Sequence, residues 1–273
     1  MDAFARDAAG PKGARPGRGM PSAPAWRPFA ERALDSVLEA LSPTRCVGCE
    51  RAGALVCDDC LARLRLIDPR ESCTRCGAPF GRLLCTECAG DGEGEVRAMA
   101  DALDGCLACA VYEQPLPRII KGYKDGGEQR LAPVIAEFLF DTACHAESVA
   151  PDRYGGILTE ADAAVFIPAT AAAFRRRGFD HMEAIARPFC ELAGLALCDA
   201  LVKGGSLDQR SLGREERRTR SDGLYHTVED VAGMRLLLLD DVITTGATMA
   251  AAARELKRAG AATVQALALA RVW

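Results

Sequence analysis

Four Cys-x-x-Cys pairs follow one another in a single stretch: Cys46/Cys49, Cys57/Cys60, Cys73/Cys76 and Cys85/Cys88. A two-residue spacer lets both thiolates of a tight turn point at one ion, and two such turns complete a tetrahedral zinc site. Eight ligands suit two zincs. The gaps at 50–56 and 77–84 are of hairpin length, which favours sequential pairing into two small ribbons, with interleaved pairing as the alternative. Full thiolate coordination leaves no open position for water or substrate, so the expected role is structural. This segment has too few large apolar residues for a core of its own, so something other than burial must hold it together.

Disulfides are the competing reading. The N-terminus, "MDAFARDAAGPKGARPGRGMPSAPAW", lacks the apolar stretch of roughly 7–15 residues that a secretory signal needs. That places the chain in the cytoplasm, where thiols stay reduced. A fifth pair, Cys106/Cys109, lies in the strand-like "CLACAVYE". Positions three apart on a strand face opposite sides, so these read as buried packing thiols. Cys144, Cys190 and Cys198 read as core residues or bystanders.

The rest of the chain has a different texture. Residues 1–28 are rich in Pro, Gly and Arg and predict a disordered leader. "FAERALDSVLEAL" then sets Phe29, Ala33, Leu34, Val37, Leu38 and Leu41 on one helical face, with Pro43 as a stop, so 29–45 is assigned to a helix. Residues 46–90 form the double ribbon, and "GDGEGE" links it to a domain spanning 91–273. There, strands at "CLACAVYE", "AAVFIPA", "RLLLLDDV" and "TVQALALARV" alternate with amphipathic helices at about 118–142, 180–194 and 248–259. Such alternation predicts an α/β fold with a parallel sheet. The 49% hydrophobic content supplies a sizeable core, and the net charge of -4 excludes a global basic field. No apolar run reaches the roughly 18 residues of a membrane span.

In "RLLLLDDVITTGATMAAAARELKRAGA" a continuous apolar run fits a central parallel strand covered on both faces. Ligands of such sheets bind beyond the carboxyl ends of the strands, where Asp240 and Asp241 fall. Two adjacent buried carboxylates repel unless a cation or sugar occupies the site. Thr244, Thr245, Gly246, Ala247 and Thr248 then lead into a helix whose free N–H groups favour a phosphate. Hydroxyls to accept and a phosphate to cradle describe a ribose 5-phosphate. Neither a GxxxxGK[ST] loop nor a GxGxxG after a strand is present, which removes the P-loop and Rossmann readings.

"LLLLDDVITTGAT" resembles the phosphoribosyl-pyrophosphate (PRPP) signature of type I phosphoribosyltransferases. With the upstream cysteine ribbons, the chain resembles the ComF family of phosphoribosyltransferase-like proteins associated with DNA uptake and competence, over roughly residues 46–273. The resemblance implies a type I phosphoribosyltransferase-like parallel-sheet domain preceded by a small zinc-ribbon domain. It implies that Asp240 and Asp241 hold the ribose hydroxyls, that Thr244 to Thr248 surround the 5-phosphate, and that magnesium accompanies PRPP. "YKDGGE" (Lys124), "FIPATAAAFRRRGFDH" (Pro168, Thr170, Arg177, Gly178, Phe179) and "DQRSLGREERRTR" (Gln209, Leu212, Arg217) follow the family's order. Lys124 and Arg175 are the cations expected to neutralise a departing pyrophosphate.

The chain departs from that pattern in placing Asp180 and His181 where the family has Asn and Gln, and Arg220 where it has Asn. His145, His181 and His226 share no metal-ligand spacing and carry no assigned catalytic role. Two functions compete: transfer of a phosphoribosyl group to an unidentified acceptor, or a non-catalytic adaptor. The adaptor would use pocket and ribbons to bind single-stranded DNA or a DNA-uptake helicase. The stretch from Arg210 to Arg220 reads as a lid, a nucleic-acid contact or an exposed loop.

Overall fold

The computed structural model describes residues 44–81, 84–90, 94–204 and 224–273. The leader at 1–28, residues 29–43 of the helix expected at 29–45, and the motif containing Gln209, Leu212, Arg217 and Arg220 lie outside the described residues, while Thr44 and Arg45 are not helical and Arg45 bridges Ala52. Thr44–Trp273 forms one compact unit.

Among its described residues the ribbon segment contributes two short helices, α1 (Asp58–Ala62) and α2 (Thr86–Ala89). Beyond it run α3 (Glu95–Ala102), β1 (Gly105–Val111), α4 (Leu116–Lys124), α5 (Leu131–Val149) and α6 (Pro151–Tyr154). They are followed by β2 (Ala163–Phe166), α7 (Ala171–Arg177), α8 (His181–Ala193), β3 (Ala196–Leu197) and β4 (Leu201–Lys203). The chain closes with β5 (Tyr225–Thr227), β6 (Arg235–Ile243), α9 (Ala247–Arg258) and β7 (Thr263–Arg271). The single helix expected at 118–142 is two helices, because the "DGGEQR" segment between α4 and α5 places two low-propensity glycines together.

Five strands pair in the order β1-β7-β6-β2-β3, every pairing parallel, and β4 and β5 form a separate antiparallel pair. Strand alternation sorts the leucines of β6 into two cores. Leu237 and Leu239 join Leu267 and Leu269 of β7 beneath α4, α5 and α8. Leu236 and Leu238 join Val264 and Ala266 against α3 and α9. Cys106 falls in the second core and Cys109 in the first, the opposite-face placement expected of that strand pair.

Both ribbons are fastened to this sheet. The edge of β1 is covered by the inter-ribbon segment, with the amide of Ile67 donating to Cys109 O at 2.9 Å and that of Val111 to Arg65 O at 2.8 Å. The first ribbon lies on α4, where a Cβ at Gly122 would overlap Val47 Cγ1, so only glycine lets the two approach. An Arg118–Glu50 ion pair at 2.9 Å closes the same contact. The second ribbon lies on β1, where the amide of Cys106 donates to Thr74 O at 2.7 Å.

Candidate functional site

The cysteines assemble as two tetrads, Cys46/Cys49/Cys57/Cys60 and Cys73/Cys76/Cys85/Cys88. This is the sequential pairing. Within each, the ligand atoms lie within 4.8 Å of one another. Zinc–thiolate bonds of about 2.3 Å in a tetrahedron put sulfurs slightly under 4 Å apart, so both donor sets fit the ion. In the first tetrad Cys49 is exposed and Cys57 half-buried, whereas all four sulfurs of the second are buried in the α3/α9 core.

At the carboxyl end of β6 the paired acids are buried, Asp240 at 8% exposure and Asp241 at 6%. The strand's alternation sends them to opposite faces. Asp241 Oδ2 meets Lys124 Nζ, from the end of α4, and accepts from His181 Nε2, at the start of α8, at 2.9 Å. Asp240 Oδ1 accepts the amide of Asp241 at 2.9 Å. The cation that two adjacent acids require is thus Lys124. Burial by itself would raise the Asp241 pKa, but the His181 hydrogen bond and the Lys124 charge outweigh it and hold the carboxyl below its ordinary range. Asp240 gains no such partner, and burial followed by the charge of Asp241 pushes it well above the ordinary range. The pair therefore favours one negative charge over two, with that charge on Asp241.

His181 was given no role by its sequence spacing, yet it is central here. Asp180 caps α8 by accepting from the amides of Met182 at 2.9 Å and Glu183 at 3.4 Å, and its other oxygen accepts from Ala169 N at 2.7 Å. One carboxylate thus fixes both the helix start and the Pro168–Thr170 turn. His181 follows immediately, and Tyr123 Oη donates to its carbonyl at 2.6 Å. Arg177 Nη1 lies 3.4 Å from His181 Nδ1. A carboxylate can only accept, so Nε2 carries the proton given to Asp241. The signal available in the sequence was "GFDHMEAIA", an N-cap acid that puts the next side chain at a helix start.

Arg177 and Arg176 also reach Asp125 Oδ1, at 3.2 and 3.4 Å. Burial opposes ionisation of Asp125, but Arg177 and then Arg176 outweigh it and lower its pKa. Arg175, expected beside a pyrophosphate, is exposed on α7, and Arg177 is the arginine whose guanidinium reaches His181, the partner of Asp241.

Thr244, Thr245, Ala247 and Thr248 are exposed beyond Asp241, and Gly246 starts α9. Gly246 has φ 84, and a Cβ there would sit 2.5 Å from Met99 Sδ, so a side chain is excluded on both counts. The amides of the first turn of α9 have no intrahelical acceptor and face the loop. A cleft of about 590 Å³ joins Lys124, Asp125, Val242 and Thr244, and a neighbouring one of about 540 Å³ runs from Lys124 to Arg176 and Arg177. A larger opening of about 680 Å³ lies across the loop, between Thr244, Thr245, the second ribbon and Trp273, and contains neither acid nor Lys124. Lys124, which meets Asp241, lines both of the smaller clefts.

Residues 37–91 match the double zinc ribbon domain and residues 178–272 the phosphoribosyl transferase domain. The chain joins a double zinc ribbon to a phosphoribosyltransferase-type domain. It is 26% identical to the DNA utilization protein YhgH of Salmonella typhi, over 78% of this chain and 89% of that protein. Its identity to the protein of that name in Escherichia coli K12 is 25%, over 79% and 90%. The competence protein ComFC of Streptococcus pneumoniae is 25% identical, over 79% and 87%. Among the described residues no helix is long and apolar enough to cross a membrane.

Proposed function

We propose that this protein binds PRPP with magnesium and transfers its phosphoribosyl group to an acceptor. The observation that carries this reading is the pairing, at the end of β6, of buried Asp240 and Asp241 with the small-residue loop and open helix start at Thr244–Thr248. The acids would take the ribose hydroxyls, and the loop amides the 5-phosphate. Lys124 and Arg177 stand in the clefts flanking the acids, where a pyrophosphate needs cations. Magnesium, when bound with PRPP, supplies charge neutralisation for the leaving group.

In the transfer, the bond from the ribose anomeric carbon to the pyrophosphate oxygen breaks and pyrophosphate departs with the electron pair. A nitrogen nucleophile of the acceptor forms the new bond and loses its proton. Positive charge developing at the anomeric carbon is stabilised by the ionised Asp241. Ribose hydroxyls that hydrogen-bond Asp241 would compete with Lys124 and His181, which frees Lys124 to turn toward the pyrophosphate.

The adaptor reading is supported by one feature: Lys124 already pairs with Asp241. Calorimetry with PRPP and magnesium on wild type, Asp240→Asn and Asp241→Asn tests both. Absence of PRPP binding by wild type refutes the ligand assignment. Binding without pyrophosphate release across a panel of bases and single-stranded oligonucleotides favours the adaptor.

A further inference from the structure

Arg271, the last residue of β7, is 2% exposed and pairs with no carboxylate among the described residues. Its guanidinium is spent on main-chain carbonyls from two separate parts of the protein. Nε donates to Cys76 O, inside the second zinc knuckle, at 3.1 Å. Nη1 donates to Ile243 O at 3.3 Å, to Thr244 O at the root of the phosphate loop, and to Val272 O. One planar cation therefore joins the knuckle to the loop. A guanidinium suits this task because its donors diverge in a fixed fork.

The arrangement also answers the cost of burying a charge. Carbonyl dipoles compensate part of it. Four thiolates around a divalent ion leave about two net negative charges, which supply the rest beside Cys76. Packing reinforces the link, since Met99 occupies the space where a Cβ on Gly246 would sit and shares its core with the four cysteines of the second tetrad. Among the described residues the first tetrad has no such hydrogen-bonded path to the loop. It contacts α4, through Val47 against Gly122 and Glu50 against Arg118.

We infer that Arg271 is a positioning residue that fixes the phosphate loop by tying it to the second zinc knuckle, so that zinc held there determines the order of Thr244–Thr248. Its consequence for ligands rests on the PRPP reading, whereas the link itself does not.

Hydrogen exchange on the full-length, zinc-loaded chain without ligand tests the link directly. In Arg271→Met the amides of 244–249 should exchange about tenfold faster or more, the factor expected for losing charge-assisted hydrogen bonds, while those of α4 stay within about twofold. Arg271→Lys, which keeps the charge but lacks the fork, should fall between and serves if the methionine variant does not fold. Cys85→Ser should loosen the same loop, and Cys49→Ser should not. Unchanged loop exchange in both Arg271 variants overturns the inference, as does uniform acceleration over the whole sheet. In calorimetry, Arg271→Lys should weaken ribose 5-phosphate by a larger factor than pyrophosphate with magnesium. If wild type binds no ribose 5-phosphate, the ligand reading falls while the exchange data still decide the link.

Discussion

Neutralising the two acids one at a time should move stability in opposite directions. Asp241 is ionised, 6% exposed, and held by Lys124 and by His181 at 2.9 Å. Asp241→Asn leaves Lys124, whose side chain is 21% exposed, without its anion. Removing one partner of a fully buried pair costs roughly 3–5 kcal/mol, and the partial exposure of Lys124 puts the expected loss nearer 2–3 kcal/mol. For a unit of this size that lowers Tm by about 5–10 °C.

Asp240 behaves in the reverse sense. Its folded pKa is raised, so the folded state binds a proton that the unfolded state releases, and stability declines as pH climbs from the ordinary carboxylate range toward that raised value. Asn carries no such liability and keeps the oxygen that accepts Asp241 N at 2.9 Å. Asp240→Asn should therefore equal or exceed wild type at pH 8, with the advantage shrinking as pH falls toward the ordinary carboxylate range. Thermal melts over that span of pH, in zinc-containing, magnesium-free buffer, read both effects. Equal destabilisation by the two substitutions, or an Asp240→Asn advantage that grows as pH falls, would refute the assignment of the charge to Asp241.

The Lys124–Asp241 contact can be isolated in a double-mutant cycle. Lys124→Met and Asp241→Asn should show a coupling above roughly 1 kcal/mol, and additive losses would show that the two side chains do not interact. The tetrads should differ in lability, because Cys49 and Cys57 reach solvent and the second set does not. A chelating dye should release about two zinc equivalents in two phases, with Cys49→Ser abolishing the fast one; fewer than one equivalent in wild type would exclude the paired sites.

What the sequence disclosed is what local spacing encodes. Two-residue spacers located the tetrads, and the run Leu236–Leu239 ending in Asp240 and Asp241 located the central strand and the buried acids at its end. Period-2 geometry put Cys106 and Cys109 into different cores. The missed features depend on contacts across long separations. His181 meets an acid 60 positions away, and Arg271 meets a carbonyl 195 positions away. Neither distance leaves a periodic trace, because it is set by crossover connections and not by the residues beside it. Arg271 reads locally as the charged end of a strand, which is ordinarily solvated. Arg175 and Arg177 illustrate the same limit: "FRRRG" marks a basic helix end, but only the capped turn at Gly178–Asp180 decides which arginine faces the acids.

The placement of the ribbons bears on why a phosphoribosyltransferase-type domain would carry them. The second tetrad shares an apolar core with Leu236 and Leu238, the residues on which the acid-bearing strand is seated. The first packs on α4, the helix that delivers Lys124. Each ribbon thus supports a different element beside the acids, and a metal at each would stabilise a segment too poor in apolar residues to hold its shape alone. The exposed Cys49 and half-buried Cys57 leave the first ribbon free on one side, so recruitment and bracing can coexist there, while the four buried cysteines of the second ribbon share the core beneath the acid-bearing strand.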